Sequence, residues 1–407
     1  MNTTTVQAYS LPSAAPAAAR TVFALLKKLQ HGTLDVQMPD GAQARFGTGA
    51  ADEPKAALRL IDWRTCSGAL KSGDIGFAEA YIDGYWTTPD LAGLLRLFIA
   101  NRDAMESVIY GTWWGSLAYR LKHLLNRNSR GGSKKNIHAH YDIGNPFYRL
   151  WLDETMNYSS ALFEGDFTRS STQAQTAKVR RALAECGVRA GDRVLEIGCG
   201  WGALAEEAAV HRGAQVTGVT LSTEQLAFAQ GRMQRLGVAE RADLRLQDYR
   251  DISDGPFDAV ASIEMFEAVG REYWASYFQT VHRQLKSGGR ACIQTITIRD
   301  DLFDRYVKST DFIQQYIFPG GLLPSPQAFR AEARKAGLEV VNELAFGPDY
   351  AETLRRWRAD FLAQDKAVRQ LGFDTRFMRI WEFYLAYCEA AFDTGNTDVI
   401  QFTLRKP

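Results

Sequence analysis

The chain is predicted to fold as an α/β protein: a doubly wound, mostly parallel sheet with an aromatic-rich helical insertion, preceded by a smaller α+β domain. Three observations lead there. From about residue 137 the apolar pattern alternates strand, helix, strand, helix, and parallel strands joined through helices bury both faces of one sheet. One strand runs into a glycine turn, Glu196-Ile197-Gly198-Cys199-Gly200-Trp201-Gly202, the place where such sheets open onto a ligand. The alternation then breaks over residues 299–390, rich in aromatics such as Phe303, Tyr306, Phe312, Tyr316, Trp357, Phe361 and Trp381, before an alternating final run at 398–404.

Taken in order, residues 1–18, with Pro12, Pro16 and several alanines, read as a loose tail. Residues 19–125 mix β-like runs such as Thr33 to Met38 with helical patterns such as Leu91 to Asn101, and form the N-terminal domain. The polar, glycine-containing segment 126–136 is the linker. In the domain from 137 to 407, strands are expected at about 192–197, 214–219, 241–246, 257–263 and 289–297, with helices starting near 202, 223 and 271. Right-handed crossovers join them.

A chain of 407 residues is long for a single core and suits two domains, and 46% apolar with 23% charged residues describes a globular protein, not a disordered one. With 48 basic against 47 acidic side chains, bulk charge gives no reason to expect nucleic acid. The five cysteines, Cys66, Cys186, Cys199, Cys292 and Cys388, lack C-x-x-C spacing, which points to a reduced, cytoplasmic protein with neither a disulfide framework nor a metal site. No apolar run reaches the roughly 18 residues that span a bilayer, and no basic region precedes an apolar core at the start. Membrane contact is therefore expected to be peripheral, at the inner face. Between Ser107 and Tyr141 there is no acid, while Arg120, Lys122, Arg127, Arg130, Lys134 and Lys135 accompany Trp113, Trp114, Tyr119 and several leucines. That mixture fits either a helix lying on an anionic phospholipid surface or a solvated helix followed by a linker.

The glycine turn narrows the cofactor. A dinucleotide fingerprint is G-x-G-x-x-G, whereas this G-x-G-x-G follows an acid on the strand and has no Lys-Ser/Thr for a phosphate. An acid beside exposed backbone donors suits the ammonium and carboxylate of S-adenosylmethionine. Glu196, Gly198, Cys199, Gly200 and Gly202 are its candidates on the first strand. Thr220, Ser222 and Gln225 after the second strand could serve ribose hydroxyls, and Gln247 with Asp248 after the third could serve adenine. Ser222 or Thr223 could equally cap the following helix. Glu264 closes the fourth strand.

These residues carry a resemblance that covers nearly the whole chain. The segments Gly73 to Trp86, His140 to Asn145, Met156 to Ala161, Val194 to Gly202, Gly218 to Gln225, Gln247 to Asp251, Met265 to Glu267, Tyr316 to Gly320 and Phe346 to Tyr350 resemble the cyclopropane-fatty-acyl-phospholipid synthases and the related mycolic-acid and fatty-acid C-methyltransferases. The resemblance implies a seven-stranded methyltransferase sheet and adds Tyr158 and Ser159 to the cofactor residues. The reaction it implies begins when a cis alkene attacks the sulfonium methyl, leaving a carbocation that must lose a proton. In the cyclopropane synthases a bound bicarbonate is the base, held by backbone and by Cys, Glu, His and Tyr side chains. Here Glu267, the backbone at Ile296 and Tyr350 match, whereas Ser160 stands where the cysteine is expected, Gln294 where the histidine is, and Ala268 where a histidine commonly follows the glutamate. Glu264 occupies a position commonly held by a small residue. Its carboxylate either replaces bicarbonate as the base, alone or sharing a proton with Glu267, or accepts from a cofactor group. Cys388 matches a cysteine assigned to the family's active site, and equally suits a buried packing role.

The expected activity is therefore one-carbon transfer from S-adenosylmethionine to the cis double bond of an unsaturated phospholipid, with a cyclopropane as the leading product. A methylene- or methyl-branched product made with a partner reductase is the alternative. An inert, lipid-binding protein with a methyltransferase fold and a small-molecule methyltransferase are the others. A homodimer is among the expected partners.

Overall fold

The computed structural model describes residues 11–13, 15–50, 52–103 and 143–407. The basic, aromatic stretch at 107–141, the linker at 126–136 and the first three residues of the His140 to Asn145 motif lie outside the described residues.

The chain divides into two compact units that are discontinuous in sequence. The first comprises 1–125, 308–317 and 369–394; the second comprises 126–307, 318–368 and 395–407. A single boundary near 125 therefore separates most of the chain but not all of it. Two pieces of the aromatic insertion belong with the N-terminal residues.

The first unit holds a small sheet of β1 (Thr33–Gln37), β2 (Gln43–Gly47), β3 (Lys55–Leu60) and β4 (Trp86–Thr87), in the order β2-β1-β3-β4. The helix Arg64–Ile82 kinks at Gly73, whose φ of 63° and ψ of −136° no helix accommodates. Asp74 follows the kink, and its carboxylate accepts from the Ile75 amide and from the Tyr387 hydroxyl on the helix Thr375–Asp393. Trp86, fully buried, stacks on Phe77 at 4.2 Å.

The second unit is the predicted α/β sheet. β5 (Arg193–Ile197), β6 (Gln215–Thr220), β7 (Ala242–Leu246), β8 (Phe257–Ile263) and β9 (Leu285–Ile298) run parallel, and β11 (Thr397–Arg405) lies antiparallel to β9. β10 (Glu339–Ala345), a strand the sequence pattern did not announce, pairs antiparallel with β11 at the edge, giving the order β10-β11-β9-β8-β5-β6-β7. Side chains alternate across this sheet as the period of a strand requires. Leu195 and Ile197 enter an aromatic core with Phe266, Trp274, Tyr277, Phe278 and Phe329, while Val194 enters an alanine-rich core beneath the helix Ser171–Glu185. Phe402 of β11 stacks on Phe329 at 4.0 Å, and burying such a ring contributes about 1.5–3 kcal/mol.

Local chemistry sets the helix starts. Ser170 caps Ser171–Glu185 by accepting from the Gln173 amide, and the Gln173 side chain answers to the Ser170 amide, a full capping box. Ser222 caps Thr223–Arg235 through the Gln225 amide.

Candidate active site

The glycine turn shows why its spacing alternates. Gly198, Gly200 and Gly202 all take positive φ, at 86°, 49° and 85°, a region where a Cβ costs roughly 1–2 kcal/mol. A Cβ on Gly198 would also meet Met265 Cγ at 2.9 Å, whereas one on Gly200 would point into open space. The turn opens a cavity lined by Tyr158, Ser159, Glu196, Gly198, Cys199, Gly200, Thr220, Gln225, Gln247, Asp248 and Glu264. Ten of these eleven are cofactor candidates from the sequence, and Glu264 is a catalytic one.

The other two cofactor candidates do different work. Gly202 is a packing glycine, since a Cβ there would come within 3.0 Å of Ala229 Cβ, and it is not part of the cavity lining. Ser222, buried and also outside the lining, spends its hydroxyl capping the helix. Asp248 lines the cavity while its carboxylate holds Arg250 in an ion pair at 2.5 Å.

The residues present fit S-adenosylmethionine. Glu196 Oε2 is buried without a hydrogen-bond partner among the described residues, and burial pushes its carboxyl well above the usual range. A cationic ammonium is the group that would relieve both conditions.

At the end of β8 the backbone turns sharply. Glu264 has φ 49°, and its amide donates to the Gln294 carbonyl of β9 at 2.8 Å. Left-handed backbone at a non-glycine residue persists only where the surroundings hold it, and here they hold the carboxylate on three sides. Oε1 accepts from the Ser160 amide at 2.8 Å and from Gln294 Nε2 at 2.7 Å; Oε2 accepts from the Tyr350 hydroxyl at 2.6 Å. Ser160 acts through its backbone, because its hydroxyl donates to the Ala161 carbonyl.

Glu267 lies nearby in another setting. Its Oε1 accepts from the Ile296 amide and from Thr295 Oγ1, and its Oε2 is buried with no partner among the described residues. Burial, together with the charge of Glu264, pushes Glu267 up to about 8. Burial raises Glu264 as well, but Lys178, Tyr350, Ser160 and Gln294 all pull it back. With three donors and a cation against two donors at Glu267, Glu264 is the anion of the pair and Glu267 carries the proton. Among the described residues no hydrogen bond joins the two carboxyls.

Sequence reasoning missed Lys178. It projects from Ser171–Glu185, is fully buried, and its Nζ donates to Ser159 Oγ at 2.5 Å. Burial lowers it to about 8, and the charges of Glu264, Asp153 and Glu196 oppose that fall. Gln175 on the same helix donates to the Ser159 carbonyl at 2.8 Å, so this helix clamps the loop that carries the Ser160 amide. A lysine in a polar helix sequence gives no sign of burial. Thr295, which shares the support of Glu267, was also missed.

Cys388 belongs to the first unit, on Thr375–Asp393, and does not line this cavity. Burial raises its thiol far above the ordinary value, which keeps it protonated. Among the described residues no cluster of His, Cys, Asp and Glu could hold a metal, and no helix is long and apolar enough to cross a membrane.

A doubly wound sheet whose first strand carries a buried acid, one oxygen of it without a partner among the described residues, and ends in this glycine cradle defines a methyltransferase that uses S-adenosylmethionine. The sequence model of the family described as mycolic acid cyclopropane synthetase matches residues 128–402, and the chain belongs to that family. It is 37% identical over 401 residues to a tuberculostearic acid methyltransferase of Mycobacterium tuberculosis, covering 97% of this chain and 92% of the relative. It is 34% identical over 361 residues to the cyclopropane-fatty-acyl-phospholipid synthase of Escherichia coli, covering 88% of this chain and 90% of that one. Among solved structures, a mycolic acid cyclopropane synthase complexed with SAH and CTAB aligns with a TM-score of 0.63 at 33% identity, over 67% of this chain and 98% of that chain. The chain is thus an enzyme of methyl or cyclopropane transfer to lipid acyl chains.

Proposed function

We propose that the enzyme methylates the cis double bond of an unsaturated phospholipid acyl chain, with Glu264 in the place of bicarbonate as the base, and yields a methylene branch for a separate reductase. The observation that carries this reading is the Glu264 carboxylate, held by Ser160, Gln294 and Tyr350 in the wall of the cofactor cavity. When bound, S-adenosylmethionine supplies a methyl electrophile, and the alkene that accepts it becomes a carbocation that must lose a proton. Glu264 Oε2 is the acceptor, and Tyr350 steadies it. The neutral Glu267 keeps a second negative charge away from the base. Glu196 would hold the donor's ammonium, the backbone of Gly198 to Gly200 would approach its amino-acid end, and Gln247 with Asp248 would face the adenine. Tyr158 sits in an aromatic wall with Trp151 and Trp357, both at 5.5 Å, suited to a cationic sulfonium or to an acyl chain.

The branched product is favoured over the cyclopropane expected from the sequence because the relative matched over 97% of the chain is named as a methyltransferase and because Gln294 and Glu264 depart together from the bicarbonate pattern. Either product follows from loss of a proton from the transferred methyl, directly for the ring and after a hydride shift for the branch. The test is gas chromatography with mass spectrometry of phospholipid acyl chains from cells making the enzyme and fed methyl-deuterated methionine. A new acyl chain that keeps two of the donor's three deuterons and takes up hydrogen as an alkene supports the reading. A saturated ring of the same mass overturns the branch, and retention of all three deuterons overturns proton removal from the methyl. Peripheral binding to the inner membrane face, supported by the basic and aromatic segment 107–141, predicts cosedimentation with anionic vesicles that salt disrupts.

A further inference from the structure

Behind Glu264 lies a chain of buried amides. Gln294 of β9 and Gln401 of β11 are register partners, and both are fully buried. Arg181 Nη1 donates to Gln401 Oε1 at 2.6 Å, Gln401 Nε2 donates to Gln294 Oε1 at 3.0 Å, and Gln294 Nε2 donates to Glu264 Oε1 at 2.7 Å. An amide can ordinarily present either end, but a guanidinium has donors only and stays charged. Arg181 therefore forces Gln401 to turn its oxygen toward it. Each later amide must follow, so every hydrogen bond points toward Glu264. Two further contacts back this orientation. The Lys178 carbonyl accepts from Gln401 Nε2 at 3.2 Å, and Glu185 lies 3.4 Å from the Arg181 head group.

The consequence falls on individual lone pairs of the base. A carboxylate offers about two acceptor sites on each oxygen. Among the described residues Oε1 has both filled, by Ser160 and Gln294, and Oε2 has one filled, by Tyr350. Were the chain reversed, Gln294 would aim its oxygen at Oε1, and Glu264 would need a proton there to satisfy the contact.

We propose that Arg181 and Gln401, acting through Gln294, are positioning residues for proton removal: they form a one-way donor chain that holds Glu264 as a carboxylate and reserves the second site of Oε2 for the substrate's proton. The proposal rests on Glu264 being the base. It adds a role for two residues whose distance along the chain from the cofactor motifs hides them.

The test is the single-turnover rate of the purified full chain against pH, with a phospholipid vesicle substrate containing cis-unsaturated chains and saturating S-adenosylmethionine. Arg181→Met and Gln401→Leu are expected to move the acidic limb upward by about one pH unit, slowing the reaction about tenfold along that limb, because Gln294 is no longer obliged to donate to the charged form of Glu264. Affinity for S-adenosylmethionine is expected to stay within about twofold. Arg181→Lys, again a donor without an acceptor, restores the limb. If Gln401→Leu fails to fold, Arg181→Met, at a partly exposed helix position, decides alone. Unchanged limbs in the folded variants, or slowing without a shift, overturn the proposal. Glu264→Gln is measured alongside: if it stays active, the base assignment itself falls, and if it is inactive while the limbs stay put, only the donor chain falls.

Discussion

The half of the sheet formed by β5, β6 and β7 and the half formed by β8, β9 and β11 build their parts of the site from different materials. The first works with backbone. Its glycines at 198 and 200 take left-handed backbone, the Gly198 amide ties the turn to the Val219 carbonyl while Gly200 leaves open space, and Thr220 bonds Gln225 beside them. The second works with side chains. Glu264 follows β8, Gln294 lies on β9 and Gln401 on β11, and they are fixed by donors drawn from a loop and two helices. A cofactor shared by many enzymes needs a generic cradle, whereas the proposed reaction would depend on one carboxylate and its charge. On the proposed reading the first half sets what is bound, and the second sets what is done with it.

Substitutions in each half sharpen that contrast. The largest effect is expected at Gly198→Ala, where positive φ and the clash with Met265 combine to cost roughly 2–5 kcal/mol; calorimetry with S-adenosylmethionine should show binding lost or weakened at least a hundredfold. If binding survives, the cradle is not what the first half supplies. Tyr350→Phe removes one hydrogen bond to a charged acceptor, worth about 1.5–3 kcal/mol. It should slow single-turnover methylation about tenfold or more, with cofactor affinity unchanged. A fall in affinity instead would place Tyr350 with the cofactor half.

Glu267→Gln probes the protonated partner through stability. Its carboxyl lies at about 8 in the folded chain against an ordinary 4.5, so the folded state holds the proton more tightly. The stabilising contribution is fully present below 4.5 and is lost as pH rises toward 8. Urea midpoints should therefore decline less between pH 5 and pH 8 in Glu267→Gln than in the parent. A parallel decline would mean that Glu267 is ionised at neutral pH. The smallest effect is expected at Ser222→Ala, about 1 kcal/mol of stability from the lost cap, with binding of S-adenosylmethionine intact.

The same contrast explains what could be read in advance. The parallel strands and the glycine cradle were legible because period-two apolar runs and alternating glycines are local signals. β10 was not, since an edge strand with exposed Val341 and half-buried neighbours shows no clean alternation. The pieces 308–317 and 369–394 were assigned to the second domain because contiguity is the default that a linear pattern offers. Glu264 was legible as the polar end of the fourth strand and Glu267 by resemblance, but their division of roles depends on which donors reach them. Lys178, Arg181 and Gln401 carry no motif; only strand register and helix packing bring them to the site.

The central claim is that a carboxylate built into the chain performs the proton removal. Glu264→Gln keeps the size of the side chain and removes its basicity, so rate measurements on the parent and this variant, each with bicarbonate removed and then restored, test it most directly. The expected result is a parent rate indifferent to bicarbonate and a variant slowed by about 10²–10⁴ that still binds S-adenosylmethionine. A parent that stops without bicarbonate, or a variant that remains active when it is supplied, would contradict the claim.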